Sequence, residues 1–322
     1  MNNRWIRFIL EEAKFVKSID DLKNAYWKVP YLLPRITSNH YRDSKIPLGL
    51  QIEPTNFCNV SCICCSRNKM DRKIGYMDFG LFQKIVDDAA ENGVKRIHLY
   101  LHGEPLLHPQ LIDMIRHVKS SGIGVTIATN GMPLDARKIE TLMHTRMNNA
   151  DHIIFSVLGY SKEVHEKVMK GVNHEKVLKN IQDILQLRKI LKMNGPIIET
   201  VMYIMTENKD EEAQFSKYWR GIVDHVREVG NISEQFAKFK KEDNSIPSRN
   251  KTCKNLWERM TIFWNGDVTI CIADLDGKYV LGNLKEKSIK DIWNSNQLLL
   301  IRKLHKEKNF KKIPFCLKCD WP

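Results

Sequence analysis

The sequence predicts an α/β fold: a partial, open (β/α)6 barrel of the TIM type, with a helical N-terminal extension and a small C-terminal β-hairpin/α module. Three observations lead there. Short β-rich runs alternate with amphipathic helical stretches, the pattern of parallel strands joined by crossover helices. The repeats number six, which suits an open barrel and falls short of a closed eight-fold one. Polar and glycine-rich groups recur just after the strands, at the end of a barrel where chemistry sits.

Residues 1–47 form the extension. Trp5, Ile6, Ile9, Leu10, Phe15 and Val16 recur at helical spacing, Asp20 and Asp21 open a second short helix, and Pro30 and Pro34 end it. Residues 48–235 form the barrel. Strands are expected at 48–54, 94–101, 125–128, 152–157, 197–205 and 225–229. Helices are expected at 78–92, 110–120, 135–144, 175–192 and 210–221, the first with Leu81, Ile85, Val86 and Ala89 on one face. Residues 236–322 form the third unit, beginning with a polar linker over 240–250. Two alternating arms, 260–264 and 268–271, then flank Asn265-Gly266, a strong hairpin signal. Helices follow at 288–293 and 298–305.

A chain of 322 residues is long enough for a real core, and 43% hydrophobic with 28% charged residues places it among globular proteins. No apolar run approaches the length of a membrane span. The N-terminal apolar stretch is too short, and its flank too acidic, for a signal peptide, so the expected location is the cytoplasm. In a reducing compartment eight cysteines read as metal or cluster ligands and not as disulfides. The net charge of +13 comes from scattered lysines, clustered mildly only over 302–312. A solvated basic surface accounts for it better than a nucleic-acid partner does.

The stretch Cys58-Asn-Val-Ser-Cys62-Ile-Cys-Cys65 follows the first strand and spaces three cysteines as C-x3-C-x2-C. Three thiolates on one loop can hold three irons of a cubane and leave the fourth without a protein ligand, the open position that catalytic metal sites keep. A zinc knuckle is the other reading of these residues alone. His102-Gly103-Glu104-Pro105, Thr129-Asn130-Gly131 and Ser156 end the next three strands, so four consecutive strands aim at one rim.

The cysteine loop resembles the signature of the radical S-adenosylmethionine (radical SAM) superfamily, and His102-Gly103-Glu104-Pro105 resembles its Gly-Gly-Glu-Pro motif. The resemblance implies a [4Fe–4S] cluster on Cys58, Cys62 and Cys65, with S-adenosylmethionine on the open iron. It further implies that Gly103 and Glu104 receive the methionyl ammonium, while Asn130 and Ser156 match positions that contact the ribose or carboxylate. Three positions depart from the family. His102 replaces the first glycine and would add a side chain near the cofactor. Val157-Leu158-Gly159 replaces an acidic residue followed by glycine. Cys64 stands where an aromatic or bulky residue packs on the adenine, most simply as a small apolar substitute. Lys170 is in reach of the cofactor carboxylate, though an exposed helix lysine is the simpler reading.

Cys253, the segment Gly266-Asp-Val-Thr-Ile-Cys271, Gly282-Asn283, a helix containing Ile292-Trp293, and Cys316-Leu-Lys-Cys319 resemble the twitch or SPASM auxiliary-cluster module. That implies one auxiliary [4Fe–4S] cluster on Cys253, Cys271, Cys316 and Cys319, in the shorter single-cluster form; a four-cysteine zinc site is the alternative. The implied reaction is reductive cleavage of S-adenosylmethionine to a 5′-deoxyadenosyl radical that abstracts a substrate hydrogen atom, with a flavodoxin- or ferredoxin-type electron donor. With seven of eight cysteines committed, oxidation is favoured over epimerisation by a thiol hydrogen donor. The expected substrate is a small polar alcohol, sugar or aminocyclitol, because no peptide-recognition domain is visible; a ribosomally made peptide is the second candidate. No general base can be named from the sequence. A zinc protein that binds nucleic acid would explain the cysteines and the charge, but not the gathering of Gly103, Glu104, Asn130 and Ser156 at one rim.

Overall fold

The computed structural model describes residues 44–230, 251–317 and 319. The helices expected in the first 43 residues, the linker 240–250 and the boundary between 235 and 236 lie outside the described residues. Six strands run parallel and lie in chain order: β1 (Gly49–Ile52), β2 (Arg96–Leu99), β3 (Gly124–Thr129), β4 (His152–Ser156), β5 (Ile197–Tyr203) and β6 (His225–Val229). Between them come α1 (Phe79–Glu91), α2 (Leu111–Ser120), α3 (Ala136–Met143), α4 (Lys162–Val168), α5 (His174–Ile190) and, after β5, α6 (Glu212–Trp219). This is the expected partial barrel.

Local chemistry starts the helices. Asp78, Asp135, Ser161 and Asn173 each accept a backbone N–H of the first turn of α1, α3, α4 and α5, satisfying donors that have no intrahelical partner. Leu81, Phe82, Ile85, Val86 and Ala89 then bury one stripe of α1 against the sheet.

The strands alternate faces, as the pleat requires. Leu50, Ile52, Ile97, Leu99, Val125, Ile127, Ile153, Phe155, Ile198 and Met202 point outwards and join the buried apolar layer under the helices. The other face, which lines the barrel, is mostly polar: Gln51, His98, Thr126 and His152 align across β1 to β4, Glu199 of β5 aligns with His225 of β6, and Arg227 lies opposite the apolar Val201. Arg96 Nη1 donates to Thr126 Oγ1 at 2.9 Å on this inner face.

The C-terminal module continues the barrel's sheet. β7 (Arg259–Ile262) pairs parallel with β1, Gly49 opposite Arg259 and Gln51 opposite Thr261. β8 (Asp267–Thr269) returns antiparallel as the expected hairpin, and β9 (Val280–Asn283) pairs antiparallel with β8. The sheet order is therefore β9-β8-β7-β1-β2-β3-β4-β5-β6. α7 (Asn255–Glu258), α8 (Ile289–Trp293), α9 (Asn296–Lys306) and α10 (Pro314–Leu317) complete the module. α8 opens with a reciprocal capping box between Ser288 and Asp291.

Two features differ from expectation. α4 was not anticipated. Lys170 is exposed, but it lies in a two-residue antiparallel ladder, Ser61–Cys62 against Met169–Lys170, and not on a helix.

Candidate active site

The loops after β1, β2 and β3 interlock. Gly103 packs so closely under the first loop that an added Cβ would lie 2.2 Å from the Thr55 carbonyl oxygen and 2.7 Å from that of Phe57. Next to it, Glu104 N donates to Phe57 O at 2.8 Å. The buried Glu104 carboxylate accepts from Leu106 N and Thr129 Oγ1 through Oε1, and from Asn130 N at 2.7 Å through Oε2. Burial pushes its carboxyl up to about 7, against the pull of those three donors. Asn130 closes the circuit, its Nδ2 donating to Asn59 Oδ1 at 3.0 Å and reaching Cys58 Sγ at 3.9 Å. Ser156 sits half-buried at the end of β4 on the same rim. Gly103, Glu104 and Asn130 are thus brought together beside Cys58.

Cys58, Cys62, Cys64 and Cys65 are free and half-buried. Burial raises the Cys62 thiol far above its ordinary range, and the neighbouring charges of Cys64, Cys65 and Cys58 raise it further. Burial and Cys65 push Cys64 up to about 12. In the C-terminal module burial likewise raises Cys271, opposed by the Ala273 N–H on its sulfur and reinforced by Cys253, Cys319 and Cys316. Among the described residues no three His, Cys, Asp or Glu side chains close on one ion. Charge interactions link Cys62 with Cys58, Cys64 and Cys65, and Cys271 with Cys253, Cys316 and Cys319. Gathered thiolates repel one another, and a cationic cluster relieves that repulsion, so both sets of donors suit iron–sulfur ligation.

The His102 ring reaches the C-terminal module: Nδ1 lies 3.1 Å from Glu53 Oε1 and 3.3 Å from Arg72 Nη2, and Nε2 lies 3.0 Å from Ile272 O.

Sequence reasoning missed the lining of the barrel. Tyr203, raised by burial, lies within electrostatic reach of Arg227, Tyr100, Cys64 and Glu199. Arg227 Nε donates to Glu199 Oε1 at 2.5 Å. Deeper in, both ring nitrogens of the buried His98 lack a hydrogen-bond partner, and burial followed by the charges of Arg259 and Arg96 holds its pKa well below the usual range. The signal was present in the alternation of β5 and β6, where Glu199, Tyr203, His225 and Arg227 occupy every second position.

The comparisons agree with this geometry. The family model for the radical SAM superfamily matches residues 52–215, and that for an iron–sulfur cluster-binding domain, SPASM, matches 253–320. The chain is 26% identical to a tungsten-containing aldehyde ferredoxin oxidoreductase cofactor-modifying protein of Pyrococcus furiosus, over 84% of this chain and 86% of that protein. It is 23% identical to the S-adenosyl-L-methionine-dependent 2-deoxy-scyllo-inosamine dehydrogenase of Niallia circulans, over 84% of this chain and 92% of that one. Streptococcus suis SuiB, solved with its precursor peptide SuiA, superposes with a TM-score of 0.65 at 17% identity, covering 88% of this chain and 71% of SuiB. No described helix is long and apolar enough to cross a membrane. The chain belongs to the radical SAM superfamily, and is an enzyme that uses S-adenosylmethionine, a [4Fe–4S] cluster and an auxiliary cluster in a C-terminal SPASM domain.

Proposed function

We propose that the enzyme oxidises a small polyhydroxylated molecule, of the sugar or aminocyclitol type, held inside the barrel beneath the cysteine loop. When bound, the cluster and S-adenosylmethionine together supply a 5′-deoxyadenosyl radical that takes a hydrogen atom from a substrate C–H bond. Cys58, Cys62 and Cys65 would hold the catalytic cluster, and Cys253, Cys271, Cys316 and Cys319 the auxiliary one. Gly103, Glu104, Asn130 and Ser156 would border the cofactor.

The polar inner wall carries the substrate reading. Tyr100, Tyr203, the Glu199–Arg227 pair and His98, whose ring nitrogens have no hydrogen-bond partner, supply donors and acceptors along the inner wall. A buried polar group left without a partner costs about 1–3 kcal/mol, which a ligand rich in hydroxyl or amino groups recovers. The dehydrogenase relative, named for an aminocyclitol substrate, supports the same class. The reading extends to a flavodoxin- or ferredoxin-type electron donor and a cytoplasmic setting.

The test is 5′-deoxyadenosine formation by anaerobically reconstituted, reduced enzyme, with no substrate, with a panel of sugars and aminocyclitols, and with a panel of peptides. Stimulation by the first panel is expected. Stimulation by peptides alone would overturn the substrate class. No product at all, with zinc bound in place of iron, would overturn the ligand assignments.

A further inference from the structure

His102 belongs to the turn that carries Gly103 and Glu104, but its contacts are elsewhere. Glu53, fully buried beyond the end of β1, is gripped at both oxygens by Arg72, through Nη1 at 2.9 Å and Nη2 at 2.8 Å. Glu53 also accepts from Trp264 N at 3.3 Å. Arg72 stacks 3.7 Å over the Phe263 ring and donates through Nε to Leu275 O at 2.5 Å. His102 Nε2 faces Ile272 O, and Asp71 N donates to Asp276 Oδ1 at 2.7 Å. Asp71, Arg72 and His102 each make one bond to the loop 272–276, which follows Cys271 directly.

The arrangement is costly. Removing a carboxylate and a guanidinium from water costs several kcal/mol per ion unless the geometry satisfies them, and here each contact is made. The His102 ring lies among two acceptors, Glu53 Oε1 and Ile272 O, and one donor, Arg72 Nη2, which is 3.3 Å from Nδ1. A glycine at this position would leave Ile272 O without its donor and Glu53 without one of its four contacts.

We propose that His102 is a positioning residue: with Glu53 and Arg72 it ties the Gly103-Glu104 turn to the 272–276 loop, and so sets where Cys271 sits relative to the S-adenosylmethionine site. The inference rests on the reading of Cys271 as an auxiliary-cluster ligand.

The test uses reconstituted wild-type enzyme, His102→Ala and His102→Gln. Three readouts separate the sites: amide hydrogen exchange over 270–277, the electron paramagnetic resonance signal of the reduced auxiliary cluster, and substrate-free 5′-deoxyadenosine formation. In His102→Ala, exchange in the loop rises about tenfold and the auxiliary signal changes, while S-adenosylmethionine cleavage stays within about twofold. His102→Gln, which keeps most of the volume and one donor, recovers part of the protection. Wild-type exchange and an unchanged auxiliary signal in His102→Ala overturn the proposal, as does exchange that rises evenly through the whole chain. If His102→Ala does not fold, His102→Gln decides alone: an intermediate rise supports the tie and wild-type exchange overturns it. Unchanged iron content in Cys316→Ala would instead sink the reading of the auxiliary ligands, while the exchange result still stands on its own.

Discussion

Gly103→Ala is the sharpest probe of the interlocked rim. The new methyl carbon would lie 2.2 Å from Thr55 O, 2.7 Å from Phe57 O and 2.8 Å from the Asn56 Cα. Non-bonded heavy atoms settle at about 3.5 Å, so the two segments must part by about 1 Å. All three obstacles are backbone, and no rotamer change relieves them. Overpacking of this kind costs about 1–3 kcal/mol, which a domain of this size survives. The functional cost is larger, because Phe57 precedes Cys58 and its carbonyl accepts the Glu104 N–H at 2.8 Å. A displacement of about 1 Å at a reacting centre costs about a hundredfold in rate. The assay is urea unfolding of the iron-free chain, followed by equilibrium S-adenosylmethionine binding and 5′-deoxyadenosine formation after reconstitution. Gly230→Ala serves as the control, since nothing lies within 4 Å of its added Cβ. Folded Gly103→Ala protein with wild-type affinity and rate would refute the interlock.

Other outcomes follow from the same geometry. Cys58→Ala abolishes S-adenosylmethionine cleavage and removes about half of the iron, whereas Cys316→Ala leaves substrate-free cleavage largely intact but impairs turnover; iron analysis beside product assays separates the two, and full turnover in Cys316→Ala would sink a role for the auxiliary site in oxidation. His165, buried with Nδ1 3.0 Å from His174 Nδ1, is lowered to about 3 by burial and then by His174. A histidine depressed in the fold contributes stability that is fully present above about 6.5 and is lost as pH falls towards 3. The chain should therefore lose about 2 kcal/mol between pH 7.5 and pH 5 through this group. Urea midpoints at the two pH values should show that loss shrinking in His165→Gln, and an equal loss in both proteins would contradict it. Asp151→Ala removes the acceptor of Val125 N, Asn148 N and the nearly buried Lys119 Nζ. Breaking this pair should lower stability by about 3–5 kcal/mol by urea unfolding, with S-adenosylmethionine affinity unchanged in the folded fraction.

The barrel was legible because its elements obey local rules. Strand β6 begins and ends where the alternation of His225 to Val229 does, and α1 starts one residue after its cap, Asp78. What escaped was short or non-local. α4 has seven residues and buries only His165 and Val168, too little periodicity to announce a helix. The ladder beside it, which holds Cys62 against Met169, is two residues long. The pairing of β7 with β1 joins Gly49 to Arg259. A parallel contact between such distant segments leaves no periodic trace in either. The hairpin was visible in Asn265-Gly266, but the edge it would dock on was not.

The site divides along the same line. Strand ends and the family resemblance point to Cys58, Cys62, Cys65, Gly103, Glu104, Asn130 and Ser156, and the structure brings Gly103, Glu104 and Asn130 together beside Cys58. Side-chain direction was not encoded there. The sequence set His102 in the cofactor turn without giving its ring a direction, and in the structure the ring packs against Glu53, Arg72 and Ile272 O. Cys64 is the thiol that a count of cysteines leaves over. It is half-buried and packs against the apolar core, where burial and Cys65 push its thiol up to about 12. A sequence shows which groups reach a rim. Which of them face the ligand is decided by the partners that burial forces them to find.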